Sequence, residues 1–190
     1  MNFTLKVIIG LMILYVSLVV LRHYNEENQV EGFSQSPSFI TKHNKNIYDA
    51  FYCGIYDELM YDPNKITHEV DEIIRATHVN KNSTILDIGC GPGHHVDEFQ
   101  NRGFNIKGLD VSSHMVKYAR RQYPQCTFQE GSILNPYIFE KERYSHLLCL
   151  YFTMYYFKDK SKFFGICNMI LKPGGYLVVH MVDRDLFDQM

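Results

Sequence analysis

Apolar positions fall into three regimes along the chain. From Phe3 to Leu21 they are nearly continuous: FTLKVIIGLMILYVSLVVL is 19 residues with Lys6 as its one charge. As a helix this run would cover about 28 Å, close to the thickness of a bilayer core. A cleaved signal peptide is the alternative. The run is long for one, however, and Arg22-His23-Tyr24 stand where a small-x-small cleavage site would follow. A buried core helix is a further alternative, but nothing polar marks a second face. Residues 1–22 are therefore read as a transmembrane anchor, with a membrane as partner. Lys6 and the amino terminus flank one end and Arg22 the other, so the positive-inside count is nearly tied.

The second regime, residues 23–45, is polar and carries the Gly, Ser and Pro of a linker. The third begins at Asn46. NIYDAFYCGIYDELM places Ile47, Phe51, Ile55 and Leu59 four apart, which predicts a helix with one apolar stripe. Asp62-Pro63 breaks it. From Ile66, ITHEVDEIIRATHV repeats the amphipathic pattern, and Asn80 to Ser83 is a turn. Short apolar runs then alternate with helical periods. Strands are predicted near 84–88, 105–110, 126–129, 145–151 and 176–182, and helices near 93–102, 113–122 and 160–171. Such alternation makes residues 46–190 an α/β domain: a Rossmann-like, doubly wound, mostly parallel sheet behind a helical cap.

Composition narrows the function classes. The chain has 190 residues, 46% apolar and 21% charged, with a formal charge of -2. No Lys/Arg block stands out, so no nucleic-acid partner is expected. The five cysteines are scattered and odd in number, without a CxxC pair, so neither a metal site nor a disulfide framework is predicted. A reducing compartment is the simpler reading, and Cys149, in an apolar run, reads as a small hydrophobe.

The first strand-to-helix turn carries the chemistry. TILDIGCGPGHH, Thr84 to His95, places three glycines directly after a buried strand. Ligands of doubly wound sheets sit at the carboxyl ends of the strands. Gly89 permits the turn out of the strand, Gly91 lets a ligand approach the backbone, and Gly93 opens a helix whose free N–H groups attract a negative group. Glycine-rich turns also serve packing alone. The spacing is GxGxG and not the GxGxxG of dinucleotide binding. With Asp87 inside the strand, and Cys90 between the first two glycines, the stretch resembles the first motif of class I S-adenosylmethionine-dependent methyltransferases.

The resemblance implies that this loop cradles the amino-acid end of S-adenosylmethionine. Two further stretches agree with it. GLDVSSHM ends a strand on Asp110, 19 residues after Gly91, where an acid would hold the ribose hydroxyls. Asp110 has an alternative as a helix N-cap, though Ser112 or Ser113 fits that role. Val111 and Met115 would sandwich the adenine, and Met115 is equally a core candidate. LKPGGYLVV, Leu171 to Val179, reads as a helix-to-strand junction and is typical of family members acting on small molecules and lipids. Tyr56-Asp57 is similar to the Tyr-Asp that precedes the core in many relatives, making Tyr56 the leading cap residue.

This chain departs from the family in three places. Gly131-Ser132-Ile133 stands where Gly-Asp usually closes the third strand, so Ser132 offers the adenine a neutral contact, weaker than a charged one. YFTMYYF, Tyr151 to Phe157, has neither an acid nor the Asn-Pro-Pro-Tyr of amino-methylating nucleic-acid enzymes. The chain also stops shortly after its fifth strand, which would leave YLVVHMV as an exposed apolar edge and suggests a fragment or self-association through it.

No general base is assigned. His94 reads as a solvated first-turn residue and His180 as a core histidine, with His95 a third candidate. Tyr52, Tyr56, Tyr151 and Tyr155 are candidate pocket walls, since aromatic faces suit a sulfonium. Three functions follow: a membrane-anchored methyltransferase for a small-molecule or lipid-like acceptor, with its domain on the cytosolic side; a catalytically weak, tethered interaction module; and a nicotinamide-dependent oxidoreductase, which the loop spacing disfavours.

Overall fold

The computed structural model describes residues 12–22, 41–42 and 44–183. Contacts divide the chain into two units, one through Thr41 and one from Lys42. In the first, residues 12–22 are helical, with apolar side chains such as Tyr15 and Leu18 exposed. Among the described residues no helix is long and apolar enough to cross a membrane. Residues 3–11 of the predicted span, and most of the 23–45 linker, lie outside them.

The second unit starts with a single 3-10 turn, Asn44–Ile47, and helices α1 (Ala50–Met60) and α2 (Pro63–Thr77). Asp62 caps α2 through the Asn64 and Lys65 amides, and Pro63 takes the first helical position, where its missing N–H costs nothing. The predicted break thus becomes the start of α2, three residues before Ile66. The strands are β1 (Thr84–Ile88), β2 (Asn105–Asp110), β3 (Thr127–Glu130), β4 (Tyr144–Cys149) and β5 (Leu171–Val179). Between them run α3 (His94–Asn101), α4 (Ser113–Gln122) and α5 (Lys160–Ile170). All pairings are parallel, in the order β3-β2-β1-β4-β5.

Side-chain alternation along the central strands feeds a core on each face. Ile85, Ile106 and Leu148 meet Val70, Val96, Phe99 and Val116 from α2, α3 and α4. Leu86, Leu109, Leu147 and Cys149 meet Phe163, Ile166 and Ile170 from α5. Complete burial of each such side chain contributes about 1.5–3 kcal/mol. Cys149 is the small hydrophobe its apolar run predicts, and desolvation pushes its thiol up to about 12.

Two expectations need correction. The predicted stripe of α1 does not face the core: Phe51 is 73% and Leu59 63% exposed, and Cys53 is the helix's buried residue. The opposite side of α1 packs instead, through tyrosines and Asp57. Secondly, β5 begins at Leu171 and not at Tyr176. Leu171 pairs with Tyr144, Lys172 to Gly175 bulge out, and Tyr176 re-enters against His146. Glycine makes this feasible, because a Cβ at Gly175 would lie 2.8 Å from the Ser145 carbonyl. β5 is the sheet's edge strand, with Tyr176 exposed and Leu177 to Val179 half-buried.

Candidate functional site

The strand order reverses between β1 and β4, and a cavity of about 380 Å³ opens there at the carboxyl ends of the strands. Its volume falls in the range of small-molecule sites. Among the predicted site residues, Tyr56, Gly89, Gly91, Asp110, Val111, Met115, Ser132 and Ile133 line it. A smaller lobe of about 40 Å³ shares Tyr56, Gly89, Gly91 and Tyr151 with the main cavity and adds Asp87, Cys90, His94 and His95.

The glycine loop divides its work. Gly91 has φ +52°, and nothing lies within 4 Å of where a Cβ would be, so its surface is open to a ligand. Its N–H donates to Asp110 Oδ2 at 2.9 Å. Gly89 has φ +73° and makes room for Thr153, whose side chain would lie 2.5 Å from a Cβ. That close approach seats the loop after β4, where Tyr151 and Phe152 hold φ of 46° and 62°. Positive φ at two consecutive non-glycine residues is strained, and such strain clusters at functional sites.

Cys90 and Gly93 stand further from the main cavity than Gly89 and Gly91. The buried Cys90 packs its thiol toward Gly108, where a Cβ would meet Sγ at 2.7 Å, and it borders only the small lobe. Gly93 lines neither cavity. It is the left-handed N-cap of α3, and the Phe128 ring lies 2.6 Å from where its Cβ would be. Gly93→Ala is therefore expected to destabilise the fold by about 3 kcal/mol, combining left-handed strain with overpacking. Urea unfolding would measure it, and a loss below about 1 kcal/mol would contradict the packing role.

Two acids face the ligand space. Asp110 Oδ1 accepts the Ser112 N–H at 2.8 Å and Oδ2 the Gly91 N–H, which fixes the carboxylate at the cavity wall. Burial pushes its carboxyl above the usual range, against these amide hydrogen bonds. The N-cap of α4 is Ser112, whose Oγ accepts from the Met115 N–H, so Asp110 is free of that alternative. Asp87 is 2% exposed and accepts no hydrogen bond among the described residues. Desolvation pushes its carboxyl up to about 6, opposed by His95 and reinforced by Asp110.

These observations fit S-adenosylmethionine. The orphaned Asp87 carboxylate suits an ammonium, the bare Gly91 surface suits close approach, and Asp110 at the end of β2 suits a ribose diol. Val111, Met115 and Ile133 supply an apolar slot, in which Met115 is also a buried core side chain. Ser132 Oγ already accepts the Leu134 N–H at 3.2 Å, leaving its hydroxyl proton to offer.

The histidines differ from expectation. His94 is not solvated: Nε2 lies 2.7 Å from Asp57 Oδ1, Nδ1 lies 2.6 Å from the Tyr123 hydroxyl, and Tyr61 covers the ring. With both nitrogens engaged, it ties α3 to the cap. Asp57 also accepts from the Tyr118 hydroxyl at 2.9 Å. His95 pairs with Glu69 of α2 at 2.9 Å. His180 is half-buried, stacks on Phe152 and lines neither lobe.

Of the candidate tyrosines, Tyr56 and Tyr151 line the cavity. Tyr52 packs edge-on between Tyr48 and Tyr56, and Tyr155 lies outside, its hydroxyl accepting the Val182 N–H. Sequence reasoning missed Tyr48 and Tyr156, whose hydroxyls are hydrogen-bonded at 2.7 Å across the cavity, and Thr153. For Tyr156 and Thr153, position after the fourth strand was the available signal.

Residues 85–175 match the family described as "Methyltransferase domain". The chain is 25% identical over 137 residues to dTDP-3-amino-3,4,6-trideoxy-alpha-D-glucopyranose N,N-dimethyltransferase of Streptomyces venezuelae, covering 70% of this chain and 55% of that one. It is 30% identical over 115 residues to trans-aconitate 2-methyltransferase of Escherichia coli, covering 60% and 44%. The chain thus spans about half the length of the curated relatives it matches. In fold it is similar to a putative S-adenosyl-L-methionine-dependent methyltransferase from Methanococcus maripaludis, with TM-score 0.63 and 22% identity over 73% of this chain and 66% of that one.

Proposed function

We propose, from the premise that this is a class I S-adenosylmethionine-dependent methyltransferase domain, that the chain methylates a small-molecule or lipid-like acceptor at a membrane surface. The observation that carries the reading is the pair of acids on one cavity: Asp87 without a partner in the small lobe, and Asp110 fixed by two amides in the large one.

Bound S-adenosylmethionine supplies an already activated methyl group on a sulfonium. The chain's part is alignment and exclusion of water. Asp87 takes the ammonium, Asp110 the ribose hydroxyls, and Val111, Met115, Ser132 and Ile133 the adenine. Tyr56 and Tyr151 border both lobes, between the amino-acid and nucleoside ends, and their ring faces suit the sulfonium. With His94 held at both nitrogens, no histidine is assigned as base. The acceptor is therefore one whose nucleophile needs no strong base, such as an amine already neutral in part or a carboxylate. The relatives' acceptors, an amino sugar nucleotide and an organic acid by their names, support that choice.

The membrane part of the reading rests on the apolar run Phe3 to Leu21. The same reading puts the domain on the cytosolic side, supported by where the cofactor is made and by the free cysteines. Self-association through the β5 edge belongs to the same reading. Ser132, a neutral group where an acid is usual, favours the second reading, a tethered module that binds the cofactor weakly.

Calorimetric titration of S-adenosylhomocysteine into the full chain in detergent, with NADH as control, tests the proposal. Micromolar binding of the first alone is expected. No binding by a folded chain would leave the interaction module standing.

A further inference from the structure

A second concavity lies away from the cofactor cavity, between α1 and α4. It is a groove of about 500 Å³. One wall is the small, apolar side of α1, formed by Ala50, Cys53 and Gly54. The other is basic: His114, Lys117, Arg120 and Arg121 project from α4, all exposed. No acid lines it. Lys117 and Arg121 make no ion pair among the described residues, whereas Arg120 donates to the Phe128 carbonyl at 2.7 Å. Phe51, 73% exposed, follows Ala50 on α1, and Ile47, 38% exposed, ends the 3-10 turn before that helix. Two acids of α1 lie near, Asp49 at its N-cap, paired with Lys42, and Glu58, one turn beyond Gly54, and Asp57 is held by His94 and Tyr118.

We propose that this groove and the apolar face beside it dock on the surface of an anionic lipid bilayer. Charge complementarity names the headgroups: unpaired cations near a bilayer are attracted to anionic lipid. The aliphatic and aromatic side chains then enter the headgroup and acyl boundary, as an interfacial helix does. A nucleic acid would use the basic wall, with Phe51 stacking on a base at most, and leave the aliphatic Ile47 in water. The chain before α1 favours the bilayer too. It holds the 19-residue apolar run Phe3 to Leu21. The choice of occupant rests on the membrane reading above, while the groove itself is independent of methyl transfer.

The chain contains no tryptophan, so Phe51→Trp places a single reporter on the patch. The full chain carrying it is mixed with vesicles of phosphatidylcholine alone, or with one third phosphatidylserine, made with brominated acyl chains as quenchers. Blue-shifted, quenched emission is expected on the anionic vesicles and not on the neutral ones. Lys117→Gln and Arg121→Gln should each lower the docked population about fivefold. Neither residue touches the cofactor cavity, so an unchanged affinity for S-adenosylhomocysteine reports an intact fold and tests the methyltransferase reading separately.

Flotation with neutral vesicles tests the anchor separately. If the chain fails to float there, quenching by added anionic vesicles still decides the docking. An unquenched reporter on anionic vesicles overturns the proposal, as does equal quenching on both kinds. So does a shift produced by single-stranded RNA and not by vesicles.

Discussion

Asp110→Ala is expected to weaken S-adenosylhomocysteine binding by about a hundredfold, read by calorimetry on the full chain. A hydrogen bond to a charged group contributes about 1.5–3 kcal/mol, and a ribose diol offers two donors. Part of that is offset, because Asp110 is desolvated before the ligand arrives. Alanine also releases the Gly91 and Ser112 amides, which the carboxylate holds at 2.9 and 2.8 Å. The loop and the start of α4 then lose their common anchor. Asp110→Asn separates the two roles: it keeps one acceptor oxygen but turns the other position into a donor facing an N–H. Its affinity should fall less than alanine's while its melting temperature falls comparably. Binding within about threefold of the parent chain in the alanine variant would remove Asp110 from the cofactor site.

The sheet was legible because each strand is a short apolar run closed by turn residues, and β1 and β2 begin and end where those signals place them. The glycine loop was legible as a ligand turn. Its internal division was not, since whether a glycine serves φ, a neighbour or a ligand depends on what packs above it. Gly93 lies under Phe128, Gly89 under Thr153, and Gly91 under nothing. The exposure of α1's apolar stripe was not legible, because periodicity shows that a helix has an apolar side, not that a partner covers it. His94 was misread because its partners, Asp57 and Tyr123, lie 37 and 29 residues away in sequence. The β5 bulge was hidden because Pro-Gly-Gly ordinarily ends an element, and here the missing Cβ atoms let the strand resume its pairing.

Asp87→Asn is expected to make the protein more stable and the cofactor weaker, two effects of opposite sign from one atom change. The carboxyl is buried, with 2% of the residue exposed, and desolvation raises it from 3.8 to about 6. A carboxyl raised on folding contributes stability that is fully present below the unfolded value and is lost as pH rises through the folded one. Above pH 6 the folded chain therefore carries a buried charge with no donor beside it. The difference of roughly two units corresponds to about 3 kcal/mol. Asparagine removes the charge and with it the slope. The variant should match the parent near pH 4 and melt about 6–12 °C higher near pH 8. Cofactor binding runs the other way. The ammonium needs the ionised form, so the parent's affinity for S-adenosylhomocysteine should rise with pH through about 6, while the variant's stays low and flat. A melting curve and a titration at each of three pH values decide it. If the variant binds as tightly as the parent at pH 8, the ammonium does not lie on Asp87. If it gains no stability there, the carboxylate has a donor in solution that the folded structure does not provide.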